Sequence, residues 1–172
     1  AEKLKQSGND TIPYLIVADG NDLENLKIEV EKKSLSHLFK FTGRVAYEKV
    51  EQYYSIIDIA CYPRLNWEVC SIVSPKKPFE AMAYGIPIIA SSVRANSYFI
   101  DDGETGLIHR FEDVDDIVNK IELLQNDSTL REKISINARE WVIQHRDTKI
   151  TGPLMKKIYR ETLEKHNSNN RI

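Results

Sequence analysis

Two lysines, Lys76 and Lys77, are bracketed by Pro75 and Pro78, and Glu80 follows three residues after Lys77. These residue types at this spacing suit the binding of an anion, most naturally a phosphate. Proline is at home in the first turn of a helix, and Pro78 is the better placed of the two. A helix opening there turns unbonded backbone N–H groups and the positive end of its dipole toward the lysines. Glu80 then falls in the first turn, within reach of whatever group the phosphate carries. The same residues have a plainer reading, a solvated helix end whose glutamate only caps. Spacing alone leaves both open.

The elements that must hold these side chains follow from the flanking pattern. Residues 79–84 are expected to be helical, with Gly85 ending the helix, and 86–90 is an apolar run of the kind that forms a buried parallel strand. Further strands are expected at 12–18, 38–42, 56–62 and 107–109. Between them come a helix carrying Leu23, Leu26 and Val30 and another over 48–55 with Val50, Tyr53 and Tyr54 on its apolar side. Those tyrosines could stack on a base, although such spacing is commoner in packing residues. Gly103 and Gly106 imply positive φ or close backbone approach in the turn they share. The last third of the chain reads as helical. One helix holds Val114, Ile117 and Ile121 behind Glu112 and Asp113, a second is opened by Asp127, and a third runs from about 152 to 166. Residues 167–172 are expected to be disordered.

Strands alternating with helices predict an α/β domain with a doubly wound, mostly parallel sheet. Ligands of such sheets sit at the strand carboxyl ends, near the switch in strand order. The loops after residues 18, 42, 62, 73 and 90 share that edge, which groups Gly20, Gly43, Arg64, Lys77 and Glu80. The loop 64–73 also holds Trp67 and Glu68, and Trp67 suits either a ligand contact or a lid over core.

At 172 residues, 41% hydrophobic and 29% charged, the chain has the size and make-up of one globular domain. Its net charge of -2 argues against nucleic-acid binding by bulk electrostatics while allowing a local basic patch. Its apolar runs fall short of a membrane span, and its start lacks a signal-peptide pattern. Cys61 and Cys70 read as free thiols of a reducing compartment, and the four histidines lack metal-ligand spacing, so no metal is expected. Opening within a helix, with no strand before it, suggests a piece of something larger.

The segments YLIVADG, FKFTGRV, VEQYYSIIDIACYPR, SPKKPFEAMAYGIPIIASSV and IDDGETGLIH lie in that order over residues 14–109. Together they resemble the carboxyl-terminal, donor-binding domain of the family 4 retaining glycosyltransferases of GT-B fold. The resemblance implies a Rossmann-like domain over residues 1–166 that binds a nucleoside-diphosphate sugar as substrate, with no cofactor and no metal. The whole enzyme would pass the sugar to a hydroxyl of a glycan or lipid-linked acceptor with retained anomeric configuration. Carried across residue by residue, the resemblance casts Lys77 and Glu80 as the catalytic pair. Lys77 would neutralise the diphosphate, and Glu80 would accept hydrogen bonds from the ribose hydroxyls. Backbone N–H groups of Phe79, Glu80, Ala81 and Met82 would complete the cradle. Arg44 and Val45 would border the nucleobase, Gly20 would lie in a loop near the donor, and Arg64 resembles an arginine ahead of the phosphate loop in a subset of members. The physics agrees: a lysine with a helix start suits charge growing on a leaving diphosphate.

The sequence also departs from that pattern. Many members carry a glutamate eight residues before the one matched by Glu80, where this chain has Ile72; Ser71 and Glu68 are the neighbours that could meet the sugar instead. The domain's usual first strand, which bears a further basic residue, would precede Ala1 and lie between the strands near Tyr14 and Asp58. An amino-terminal acceptor-binding domain is the expected missing partner, so the fragment alone should be inactive. A cytoplasmic location follows, with any peripheral contact to the inner face of the membrane made through the missing part. The alternative is a non-catalytic nucleotide-binding or regulatory module of GT-B fold; phosphorylases and sugar-nucleotide epimerases resemble the motifs less.

Overall fold

A computed structural model describes residues 1–169 of the chain. The described residues form five short strands: β1 (Tyr14–Ile16), β2 (Phe39–Phe41), β3 (Ala60–Tyr62), β4 (Ile88–Ser91) and β5 (Leu107–His109). They also form eight α-helices. The first five are α1 (Glu2–Gln6), α2 (Leu23–Lys32), α3 (Val50–Tyr54), α4 (Glu68–Ile72) and α5 (Lys76–Ala83); α6 (Val114–Asn126), α7 (Ser128–Arg146) and α8 (Thr148–Asn169) follow. Each strand sits inside the stretch expected of it except β4, which extends one residue further, to Ser91.

Every strand pair is parallel, with Tyr14 opposite Phe39, Ala60 opposite Ile88 and Ile89 opposite Leu107. The parallel, helix-alternating architecture is the expected one, but the strands form two sheets rather than one: β1–β2 and β3–β4–β5. Among the described residues β1 pairs only with β2 and β3 only with β4, so each of the two keeps an unpaired edge. Cys61, in the middle of β3, is solvent-accessible, while its neighbours desolvate the thiol enough to push it up to about 11. Burial raises the Tyr14 phenol as well, and Cys61 adds to the effect.

Alternation along β4 builds the core. Ile88 and Ala90 face α5 and α7 and pack with Met82, Phe99 and Val142, while Ile89 faces the other way and packs with Leu107, Leu124 and Ile134. Both faces are therefore covered, as a parallel sheet requires. The β1–β2 sheet rests on its own smaller cluster of Val30, Leu35 and Leu38. The turn before β5 realises both glycine expectations. Gly103 has φ +82, whereas a Cβ on Gly106 would lie 2.8 Å from Ile88 Cγ1.

The helices expected behind Asp113 and Asp127 form, and both aspartates cap them. Asp113 accepts from the Asp116 N–H to open α6, and Asp127 accepts from the Leu130 N–H at 2.8 Å to open α7. The last helix differs from expectation: it starts at Thr148, four residues before Gly152, because the Asp147 carboxylate receives the Lys149 N–H at 2.8 Å. Pro153 is then interior and forgoes a bond to the Lys149 carbonyl. The helix continues through Asn169, past the expected end at His166; the part of the expected tail over 170–172 lies outside the described residues. Arg146, the last residue of α7, lays its guanidinium over the Phe79 ring of α5, 4.8 Å from its centre. No helix among the described residues is long and apolar enough to cross a membrane.

Candidate functional site

The start of α5 is set by Pro75, whose extended backbone (φ -77, ψ 141) makes it the N-cap, so that Lys76 and Lys77 are the first two helical residues. They were expected in the preceding loop. Pro78 is third and stays in the first turn, where its missing N–H costs nothing. This corrects the expected cradle. In a helix opening at Lys76 the N–H groups of Glu80, Ala81 and Met82 bond to carbonyls four residues earlier, so those three are taken by the helix itself. With prolines at 75 and 78, the first-turn donors nearest the lysine side chains are the N–H groups of Lys76 and Lys77.

The electrostatics of this helix end are unusual. Its first turn holds no acid and two exposed lysines at the positive pole of the dipole, the reverse of the stabilising arrangement. An anion resting there would relieve the repulsion. Glu80 is three residues from Lys77 and four from Lys76, so all three lie on one face of α5, the exposed one. Pro78, Ala81 and Met82 point into the core, and Phe79 turns inward against Phe99 and Trp141.

Two tyrosines hold this surface. The Tyr54 hydroxyl donates to Glu80 Oε2 at 2.9 Å, and the Tyr54 ring stacks on Tyr84 with centroids 4.9 Å apart. The Tyr62 hydroxyl, at the carboxyl end of β3, donates to the Lys77 carbonyl at 3.1 Å. Burial raises both phenols, and for Tyr54 the bond to Glu80 adds to the rise, so both remain donors. Tyr54 was legible as a packing residue, not as the partner of a carboxylate. Tyr62 was legible only as the end of a strand. Its position at a parallel-strand carboxyl end was the available signal.

The structure brings Arg64 to the same edge but gives its guanidinium another task. Arg64 Nη1 donates to the Val73 carbonyl at 2.9 Å and its backbone N–H to Ser91 Oγ at 3.0 Å, bracing the loop between them. That loop contains α4. Trp67 is 64% exposed, which removes it as a lid over core, and Ile72 is 73% exposed. The Ser71 hydroxyl donates to Asn66 Oδ1, while Glu68 is exposed in the first turn of α4. Gly20 follows β1, and Arg44 and Val45 follow β2 and Gly43 (φ +66); these three residues line the carboxyl ends of the other sheet. Two open depressions, one between α1 and the segment after β5 and one at the α6–α7 junction, include neither Lys77 nor Glu80. Lys76, Lys77 and Glu80 are all exposed, so the basic helix start presents itself as a surface. Among the described residues no group of three His, Cys, Asp or Glu side chains is arranged to hold a metal ion.

Comparison with known proteins adds the context. Residues 1–141 match the family described as glycosyl transferases group 1. The chain is 24% identical over 161 residues to the alpha-D-kanosaminyltransferase of Streptomyces kanamyceticus, a match covering 94% of this chain and 40% of that protein. Among solved structures it is similar to Anabaena Alr3699/HepE in complex with UDP and glucose, with TM-score 0.78 and 17% identity over 87% of this chain and 40% of the other. It is also similar to the carboxyl-terminal domain of a glycosyl transferase group 1 family protein, LpcC, from Francisella tularensis. That likeness has TM-score 0.67 and 25% identity over 83% of this chain and 72% of the other. The likeness shows the fold to be the Rossmann-like, mostly parallel α/β domain of GT-B proteins. The chain spans well under half the length of the kanosaminyltransferase and of HepE.

Proposed function

The chain belongs to the group 1 glycosyl transferases, and on that premise we propose that it is the carboxyl-terminal, donor-binding half of a retaining family 4 enzyme. Residues 1–166 are the donor domain in this reading. The intact protein moves a sugar from a nucleoside diphosphate to a hydroxyl of a glycan or lipid-linked acceptor. The observation that carries the reading is the start of α5, where two lysines, their two unbonded N–H groups and Glu80 share one exposed face.

The diphosphate rests on the N–H groups of Lys76 and Lys77, with the Lys77 ammonium beside it. As the bond between the anomeric carbon and the phosphate oxygen breaks, negative charge gathers on the leaving diphosphate. A cation already fixed there stabilises that transition state more than the ground state. Glu80 accepts from the ribose hydroxyls and orients the donor rather than moving a proton. Arg44 and Val45 border the base, Gly20 lies in the neighbouring loop, and Arg64 acts through the loop it braces. The UDP and glucose named with HepE support a nucleoside-diphosphate sugar as substrate. An amino-terminal acceptor domain supplies the facing wall of the cleft. The protein works in the cytoplasm, and any contact with the inner membrane face is made through that half.

The test is a titration of the intact protein with ADP, GDP, UDP and CDP, each beside its nucleoside. One diphosphate should bind at least tenfold more tightly than its nucleoside. If no diphosphate outbinds its nucleoside, the reading fails. A non-catalytic nucleotide-binding module is the second reading, favoured by the exposed, apolar Ile72 at the expected glutamate position. It would be preferred if the intact protein bound a sugar nucleotide yet neither transferred nor hydrolysed it.

A further inference from the structure

We propose that Tyr54 is a positioning residue of the donor site, holding the Glu80 carboxylate in one orientation through the 2.9 Å bond from its hydroxyl to Oε2. The proposal rests on the reading of Glu80 as the ribose contact. A glutamate on an exposed helix face samples many rotamers, and ordering it on binding would weaken the complex. Here the order exists beforehand, because the donor is a hydroxyl on a rigid ring. That ring is half-buried and stacks, nearly parallel at 16°, on the ring of Tyr84, the residue that closes α5. Glu80 and Tyr84 are one turn apart on the same helix. Tyr54 is therefore registered to α5 through its ring face and its hydroxyl together.

The chemical type of the partner matters as much as its position. Lys76 and Lys77 lie one turn before Glu80 and are the other available donors, but an ion pair with either would neutralise charge needed at the diphosphate. A neutral phenol orients the carboxylate and leaves both ammonium charges in place. The Glu80 carboxylate keeps its second oxygen, Oε1, with the acceptor capacity to receive a ribose hydroxyl. Tyr62 plays a parallel part at the other end of the surface by holding the Lys77 carbonyl. The start of α5 is thus tied to α3 and β3 by two hydroxyls that consume none of its charge.

The test uses the intact protein and compares the tightest-binding member of ADP, GDP, UDP and CDP with its 2′-deoxy counterpart. Tyr54→Phe keeps the ring and its stack on Tyr84. It should weaken the ribonucleotide about three- to tenfold and the deoxynucleotide less than about twofold. In a Glu80→Ala background the same change should add nothing further. Tyr84→Leu, which removes the backing ring while sparing both hydrogen-bonding groups, should narrow the ribose preference to a smaller extent and guards against a folding defect in Tyr54→Phe. Equal loss for both nucleotides, or full additivity with Glu80→Ala, overturns the positioning role. If Glu80→Ala leaves the ribose preference at its wild-type value, the ribose contact itself is wrong. If Glu80→Ala abolishes that preference while Tyr54→Phe preserves it, only the role of Tyr54 falls.

Discussion

Replacing Lys77 by methionine in the intact protein removes one ammonium from the start of α5 and keeps most of the side chain's length. Two unit charges about 4 Å apart interact by about 1 kcal/mol in bulk water and about 4 kcal/mol at the effective dielectric near a protein surface. Lys77 is exposed, which draws its share toward the lower figure. A hydrogen bond to a charged group contributes about 1.5–3 kcal/mol when it forms. The expected loss is about 1–3 kcal/mol, or roughly 5- to 150-fold in Kd for the nucleoside diphosphate. Binding weakens rather than disappears, because the N–H groups of Lys76 and Lys77 and the second ammonium remain. The matched nucleoside has no phosphate and should change by less than about twofold. Calorimetric titration at two salt concentrations measures both, and the gap between wild type and variant should narrow as salt rises. Thermal stability should hold or improve slightly, since a cation leaves the positive end of a helix dipole. Equal losses for nucleoside and diphosphate, or a gap indifferent to salt, would refute the assignment of Lys77 to the phosphate.

Other consequences are open to direct measurement. Gly106→Ala forces a Cβ to within 2.8 Å of Ile88 Cγ1 and 3.2 Å of its carbonyl oxygen. It should destabilise the fold by about 1–3 kcal/mol. In a chain of this size the midpoint of thermal unfolding would fall by about 3–10 °C; an unchanged midpoint counts against the close contact. Asp127→Ala removes the cap of α7 and should cost about 0.5–2 kcal/mol in denaturant unfolding, with Asp127→Asn recovering most of it. The desolvation of Cys61 is open to test as well. With its thiol pushed up to about 11, it stays protonated through neutral pH and becomes thiolate only as the pH climbs toward that value. At pH 8 it should react with an aromatic disulfide at least about tenfold more slowly than free cysteine, despite its accessibility. A free-thiol rate would mean that it lies at an open edge.

Much of the fold was legible because the local signals were strong and agreed with one another. Asp113 and Asp127 each precede an apolar-periodic run at an expected helix start, and the structure makes each the cap of that helix. Gly103 and Gly106 announced a tight turn, and the structure assigns one to backbone conformation and the other to close approach. The start of α5 was misjudged by a few residues because two prolines compete for its first turn, and Pro75 serves as cap where Pro78 looked like the opener. That small shift changes the chemistry, giving the N–H groups of Glu80, Ala81 and Met82 to the helix and leaving those of Lys76 and Lys77 for a ligand. Tyr54 and Tyr62 were missed as site residues for a different reason. Each contact spans 26 or 15 residues of sequence, and a hydroxyl's partner depends on how α3 and β3 pack beside α5. Arg64 was placed at the correct edge, but its distance from the Val73 carbonyl is a property of loop closure that its neighbours do not encode. The early start of the last helix turned on one aspartate, Asp147, whose capping outweighed the helix-opening signal of Pro153.

The Arg146 guanidinium over Phe79 adds a cation–ring contact where α7 already packs closely on α5. Arg146 closes α7 one residue before the Asp147 break, and α8 swings out from that point. Phe79 is the residue immediately before Glu80. Phe79 also packs against Phe99 and Trp141, so a change that unseats the Arg146 guanidinium is felt at the residue next to Glu80.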